Sequence, residues 1–193
     1  MTDARRLSQA ISEGDGISVI VQVEDAEQAR TAEAQGAEGI ALRRGVGGVG
    51  AATTLPVLWL GDPDEQAALE DCDAHALIVW ADVGDERLRE LHDAYGDGME
   101  VVVGVSNEEE LELAVELDAQ IYLLAGDEAD DEQHAIDRVI ELLPDVPAGK
   151  LAIAEVAVES RAEVVALERA GFDAVLVPPG HVDELVGGAP PEV

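Results

Sequence analysis

Residues 100–124 read EVVVGVSNEEELELAVELDAQIYLL. The run from Glu100 to Val105 is short, apolar and β-branched, and a second such run follows from Gln120 to Leu124. Between them the stretch Asn107 to Leu117 carries helical periodicity, with Asn107 where an N-cap belongs. The two runs are apolar throughout rather than alternating, as expected of strands in a parallel sheet covered on both faces. A strand, a helix and a second strand in this order predict a right-handed crossover between parallel strands.

Working outward, the same unit recurs. Strands are predicted at Ser18 to Val23, Glu38 to Leu42, Pro56 to Leu60, Ala76 to Trp80, Lys150 to Ala154 and Ala174 to Val177. Helices are predicted at Asp25 to Gln35, Asp64 to Glu70, Asp85 to Tyr95, Glu132 to Leu143 and Ser160 to Ala170. Asp25, Asp62 and Ser160 stand at further N-cap positions, and Gly36 and Gly171 stand where helices should stop. Eight strands favour a closed α/β barrel, a small (β/α)8 TIM barrel, over an open sheet. The glycine-rich segment Arg43 to Thr54 replaces the helix expected after the second strand, so that βα unit is shortened. Residues 1–193 are expected to form one domain, with a frayed tail from Gly187 to Val193.

Charge is the most unusual compositional feature: 43 acidic residues face 11 basic ones, for a formal net charge of −32, and the sole lysine is Lys150. With no basic stripe to replace counterions, DNA, RNA and anionic membranes are disfavoured as partners. No apolar run approaches the ~20 residues that span a bilayer, and Met1 to Gly16 is polar, so a cytoplasmic location is expected. The single cysteine, Cys72, reads as a small buried residue, with no internal disulfide and no cysteine-rich zinc site available.

The runs Val101 to Leu111, Ala154 to Val164 and Ala170 to Val177 resemble indole-3-glycerol phosphate synthase, a phosphate-binding (β/α)8 barrel of tryptophan synthesis. The likeness extends back through Leu55 to Leu58, Asp62-Pro63 and Asp85 to Leu91. It implies that charged groups should stand at the C-terminal ends of the strands, and most are replaced. The first-strand glutamate and the lysine after it fall on Gln22 and Glu24, and the third-strand lysine on Leu60. The fifth-strand glutamate falls on Gly104, and the sixth-strand asparagine and arginine on Ala125 and Asp127. Glu155 retains the seventh-strand glutamate. In the phosphate cradle, Val156-Ala157 replaces Ser-Gly and Pro178 replaces a glycine, and proline offers no N–H to an anion.

Elsewhere, Arg43-Arg44 followed by Gly47 and Gly48 joins positive charge to a flexible loop, a candidate anion site. Gln22, Glu24, Trp59 and Trp80 are candidate pocket walls, and Glu155 and His181 are candidate acid or base groups. The carboxylates from Asp127 to His134 read as a solvated charge run, and neither a metal nor a cofactor is expected. Two functions fit: a degenerate barrel of this type serving as a binding or assembly protein, as a possible homodimer with a protein partner, or a lyase or isomerase acting on a small anionic metabolite. In the second, Glu155 is acid or base and Arg43 or Arg44 holds the anion.

Carboxylates crowded on so small a surface repel one another through a Debye length of about 8 Å at 0.15 M salt and about 3 Å at 1 M. Thermal unfolding of the chain is expected at a higher midpoint in molar potassium chloride than at about 0.15 M. Equal midpoints would remove the expectation that this acidic surface is halophilic, suited to a salt-rich cytoplasm.

Overall fold

A computed structural model of the chain describes residues 6–14, 16–126, 132–180 and 182–186. Eight strands close into one barrel in sequence order, every neighbouring pair parallel and β1 hydrogen-bonded to β8. They are β1 Ser18–Gln22, β2 Gly39–Leu42, β3 Val57–Trp59, β4 Ala76–Trp80, β5 Glu100–Val105, β6 Ile121–Ala125, β7 Leu151–Glu155 and β8 Ala174–Val177. Around them lie α2 Ala26–Ala34, α3 Gln66–Asp71, α4 Asp85–Gly96, α5 Glu108–Glu116, α6 Glu132–Leu142, α7 Arg161–Ala170 and α8 Val182–Leu185. A short helix not anticipated from the sequence, α1 Leu7–Ser12, precedes β1. No helix follows β2; the chain there runs as turns from Arg43 to Leu55, so the second βα unit is the shortened one.

Successive residues of each strand serve two different cores, because side chains alternate across a sheet. One set, including Ile20, Leu58, Ile78, Val102, Leu123 and Ile153, fills the inside of the barrel. Leu7 and Ile11 of α1, one helical turn apart, join this cluster, so α1 is packed onto the barrel interior. Its Ser8 backbone N–H and hydroxyl both donate to the carboxylate of Glu100 at the start of β5. The alternate set, including Val21, Leu42, Trp59, Val79, Val103 and Leu124, packs outward against the helices through Ala29, Leu88, Leu111, Val139 and Leu167.

The local signals act as read at several helix ends. Asp25 accepts the N–H groups of Glu27 and Gln28, Asn107 accepts that of Glu110, and Ser160 forms a reciprocal capping box with Glu163. Gly36 at φ 94° and Gly171 at φ 114° take the left-handed turns that end α2 and α7. Asp62 is a correction. It accepts the N–H of Asp64 within a turn, and α3 begins only at Gln66, after Glu65. Cys72 is fully buried, burial pushes its thiol up, and its Sγ lies 3.4 Å from the Leu69 carbonyl. No helix among the described residues is long and apolar enough to cross a membrane.

Replacing Ser160 by Ala removes the side-chain half of a capping box, which costs about 1 kcal/mol. Denaturant unfolding of Ser160→Ala in molar salt should show that loss with an unchanged slope; a loss within error of zero would mean the box contributes nothing.

Candidate functional site at the barrel mouth

The alternation within each strand dictates which residues meet at the C-terminal end of the barrel. Continuing each inward set to its last position gives Gln22, Arg43, Leu60, Trp80, Gly104, Ala125, Glu155 and Pro178 around the ring. The strand registers set Trp80 beside Gly104 and Ala125 beside Glu155, while Pro178, after β8, stands two residues past Leu176, the partner of Glu155. The half of the mouth formed by β3 to β6 is apolar. Leu60 and Ala125 are buried, and Trp80 lies over Gly104, where an added Cβ would come within 2.6 Å of the indole ring. Glycine at 104 is what lets the indole ring settle there.

The other half, formed by β1, β2 and β7, is polar and internally paired. Arg43 reaches across from the end of β2 to β7, where Nη2 donates to Glu155 Oε1 at 2.7 Å. With the Gln22 amide turned so that its oxygen faces the guanidinium, that oxygen accepts from Arg43 Nε at 2.8 Å and Nη2 at 3.1 Å. Arg43, Gln22 and Glu155 thus form one network from three strand ends. At the rim, Arg44 Nη2 lies 3.6 Å from Glu24 Oε1, a looser pair between exposed side chains. Gln22, Val23, Glu24, Arg43, Arg44 and Pro179 enclose a cavity of about 280 Å³.

Four backbone N–H groups in the loops after β1, β5 and β7 are engaged by the chain's own side chains. Glu163 takes the N–H of Glu159 at 2.7 Å and of Ser160 at 3.0 Å; Glu110 takes that of Ser106 at 2.7 Å; Gln28 takes that of Glu24 at 2.9 Å. Pro178 and Pro179 have none to give.

The structure therefore brings together Gln22, Arg43 and Glu155, sets Glu24 and Arg44 beside them, and puts Trp80 at the same mouth. Trp59 is fully buried, faces the helix layer, and donates its Nε1–H to the Asp62 carbonyl at 3.1 Å. Gly47 and Gly48 stand apart from the cavity at this mouth. Both are exposed with open space around them and do not line the arginine cavity; Gly48 takes φ 84° as a turn residue. Close backbone approach in this loop occurs instead at Gly45 against Ala68 and at Gly50 against Asp73. His181 and the run from Asp127 to Asp131 lie outside the described residues. Among those described, no group of three or more His, Cys, Asp or Glu residues is placed to hold a metal ion.

The loop that carries the arginines is anchored at both flanks. Val49 is fully buried in the outer core, and Glu33 of α2 accepts the hydroxyl of Thr54 at 2.5 Å and its N–H at 3.2 Å. The Thr54 hydroxyl holds the Glu33 carboxyl below its ordinary value of 4.5, against a smaller opposing effect of burial.

The family model for indole-3-glycerol phosphate synthase matches residues 65–181, more than half of the chain. The chain belongs to the indole-3-glycerol phosphate synthase family. Proteins named indole-3-glycerol phosphate synthase from Dehalococcoides mccartyi and Pelodictyon phaeoclathratiforme are 35% identical over 136 residues and 33% identical over 119 residues. These matches cover 66% and 60% of this chain but 51% and 45% of the relatives, so the chain spans about half the length of the curated relatives it matches. Among solved structures, a mandelate oxidase mutant carrying a C4a-OH-FMN adduct superposes with a TM-score of 0.63 at 15% identity, over 86% of this chain and 68% of that one. That likeness shows the barrel fold alone.

A group whose folded-state value is depressed stabilises the fold above its unfolded value, and the effect is lost as pH falls through the folded value. Thermal midpoints of the wild type and of Glu33→Ala should therefore differ at neutral pH, wild type higher, and converge as the pH is taken below about 4.5. A gap that persists at low pH would contradict the Glu33–Thr54 anchor.

Proposed function

We propose that this chain is an indole-3-glycerol phosphate synthase-type barrel that does not carry out the reaction for which its relatives are named and acts as a binding protein. The observation that carries this reading is the network at the mouth: Glu155 Oε1 is engaged by Arg43 at 2.7 Å, while the inward strand ends from β3 to β6 are Leu60, Trp80, Gly104 and Ala125. Ring closure with dehydration needs one group to donate a proton, another to accept one, and cations to hold an anionic substrate. Each such task given to Glu155 or Arg43 competes with the contact the two already make. The engaged amides of Glu159 and Ser160, and the prolines after β8, weigh further against a phosphate cradle of the family type.

The same contact weighs against the second reading, a lyase or isomerase using Glu155 as acid or base and Arg43 to hold an anion. As to self-association, the exposed large hydrophobics among the described residues are Val83 and Val115, in different parts of the chain. A homodimer or a complex with another protein would combine any contact at these valines with polar contacts of this acidic surface.

Purified chain in molar potassium chloride, supplied with the anthranilate-derived sugar phosphate on which the family acts, is expected to release no indole product above the uncatalysed background. Steady-state turnover proportional to protein concentration, and lost in Glu155→Gln, would overturn this reading.

A further inference from the structure

The cavity at the mouth is lined by both members of the Arg44–Glu24 pair, and by Arg43, whose partner Glu155 stands at the same mouth. Among the described residues at this side of the mouth, these two guanidinium groups and two carboxylates sum to zero, in a chain whose net charge is −32. That balance constrains the ligand. A phosphate entering the cavity takes the guanidinium groups from their carboxylates and leaves several negative charges facing one another with no added cation. A monocation reverses the problem by competing for the carboxylates and leaving the guanidinium groups unpaired. A ligand that carries one charge of each sign can exchange with the Arg43–Glu155 pair and leave the charge count unchanged.

Hydrogen-bonding capacity points the same way. The amides of Glu24, Ser106, Glu159 and Ser160 are engaged by neighbouring side chains and the prolines after β8 donate nothing, while Arg43 and Arg44 line the cavity with charged guanidinium donors. Acceptors come from Glu155, Glu24 and the Gln22 amide oxygen. The Arg43 side chain is 55% exposed and can swing on its stem, whereas the Glu155 side chain is 20% exposed and fixed at a strand end. Val23 and Pro179 supply an apolar wall.

We propose that this cavity binds a small zwitterion of the α-amino acid class, its carboxylate held by the Arg43 guanidinium and its ammonium by the Glu155 carboxylate and the Gln22 amide oxygen, with its side chain against Val23 and Pro179. Arg43 is then the chain's own stand-in for the ligand's cation. This inference rests on the reading of the barrel as a binding protein and names the ligand class for it.

Calorimetric titration in molar potassium chloride tests it with L-alanine, L-leucine, 4-methylpentanoate, 3-methylbutylamine and inorganic phosphate. The third and fourth are leucine without its ammonium and without its carboxylate. At least one amino acid is expected to bind saturably, L-leucine at least tenfold more tightly than either half-ligand if leucine is the one bound, and phosphate no better than the half-ligands. Arg43→Gln and Glu155→Gln should each weaken the amino acid at least tenfold. On wild-type protein, which removes any question of variant folding, the Gln22 side-chain amide resonances should shift along the same isotherm. No saturable binding of either amino acid, or 4-methylpentanoate or phosphate binding as tightly as the amino acid, overturns the proposal. Those results leave the turnover assay above unaffected, so the two readings fail separately.

Discussion

Closure of the sheet is the constraint on which the rest of this molecule depends. Once β1 pairs with β8, each strand must present alternate residues to a space too narrow for anything but side chains, and the helices must cover what faces outward. The inner cluster, from Leu7 and Ile11 of α1 up through Ile20, Leu58, Ile78 and Leu123, fills that space. Its last positions are not chosen freely. The register that lets Ala76 sit beside Glu100 at one end of the barrel also puts Trp80 beside Gly104 at the other. The chemistry available at the mouth follows from which residue types the sequence places at those positions.

Five of the eight are apolar or glycine, and the three polar ones, Gln22, Arg43 and Glu155, satisfy one another. A half-exposed ion pair of this kind is worth a few tenths to about 1 kcal/mol, too little to hold the barrel together and less still in molar salt. Its consequence is geometric. It lays a side chain from the loop after β2 across the end of the barrel and occupies the carboxylate that survives from the family pattern. The missing helix contributes to this arrangement, because the loop in its place is pinned by Val49 in the outer core and by Glu33 on α2.

The strands and the order of the units were legible because each strand is an unbroken apolar run bounded by turn or cap residues. The same feature hid the faces. With no polar alternation, nothing in Val57-Leu-Trp-Leu60 says which of Trp59 and Leu60 points inward, and Trp59 proves to belong to the outer core. Asp62 before Pro63 has the form of a helix start, but the chain spends its cap on a turn first. The helix α1 carried a signal in Leu7, Ala10 and Ile11, all buried, but six residues show less than two turns of period. In the loop after β2, where charge stands beside glycine, Arg43 and Arg44 line the cavity at the mouth and Gly47 and Gly48 are not among its lining residues. The pairing of Arg43 with Glu155 spans 112 residues and follows only from closure of the ring, which no local pattern announces.

That pairing decides what the mouth of the barrel can bind or catalyse. A double-mutant cycle with Arg43→Gln, Glu155→Gln and the double variant, read by denaturant unfolding at the lowest salt that keeps the chain folded, isolates the energy the two side chains share. A favourable coupling of a few tenths to about 1 kcal/mol that shrinks as potassium chloride is raised is expected. Strict additivity at every salt concentration would contradict it, since the arginine would then not engage the carboxylate across the mouth.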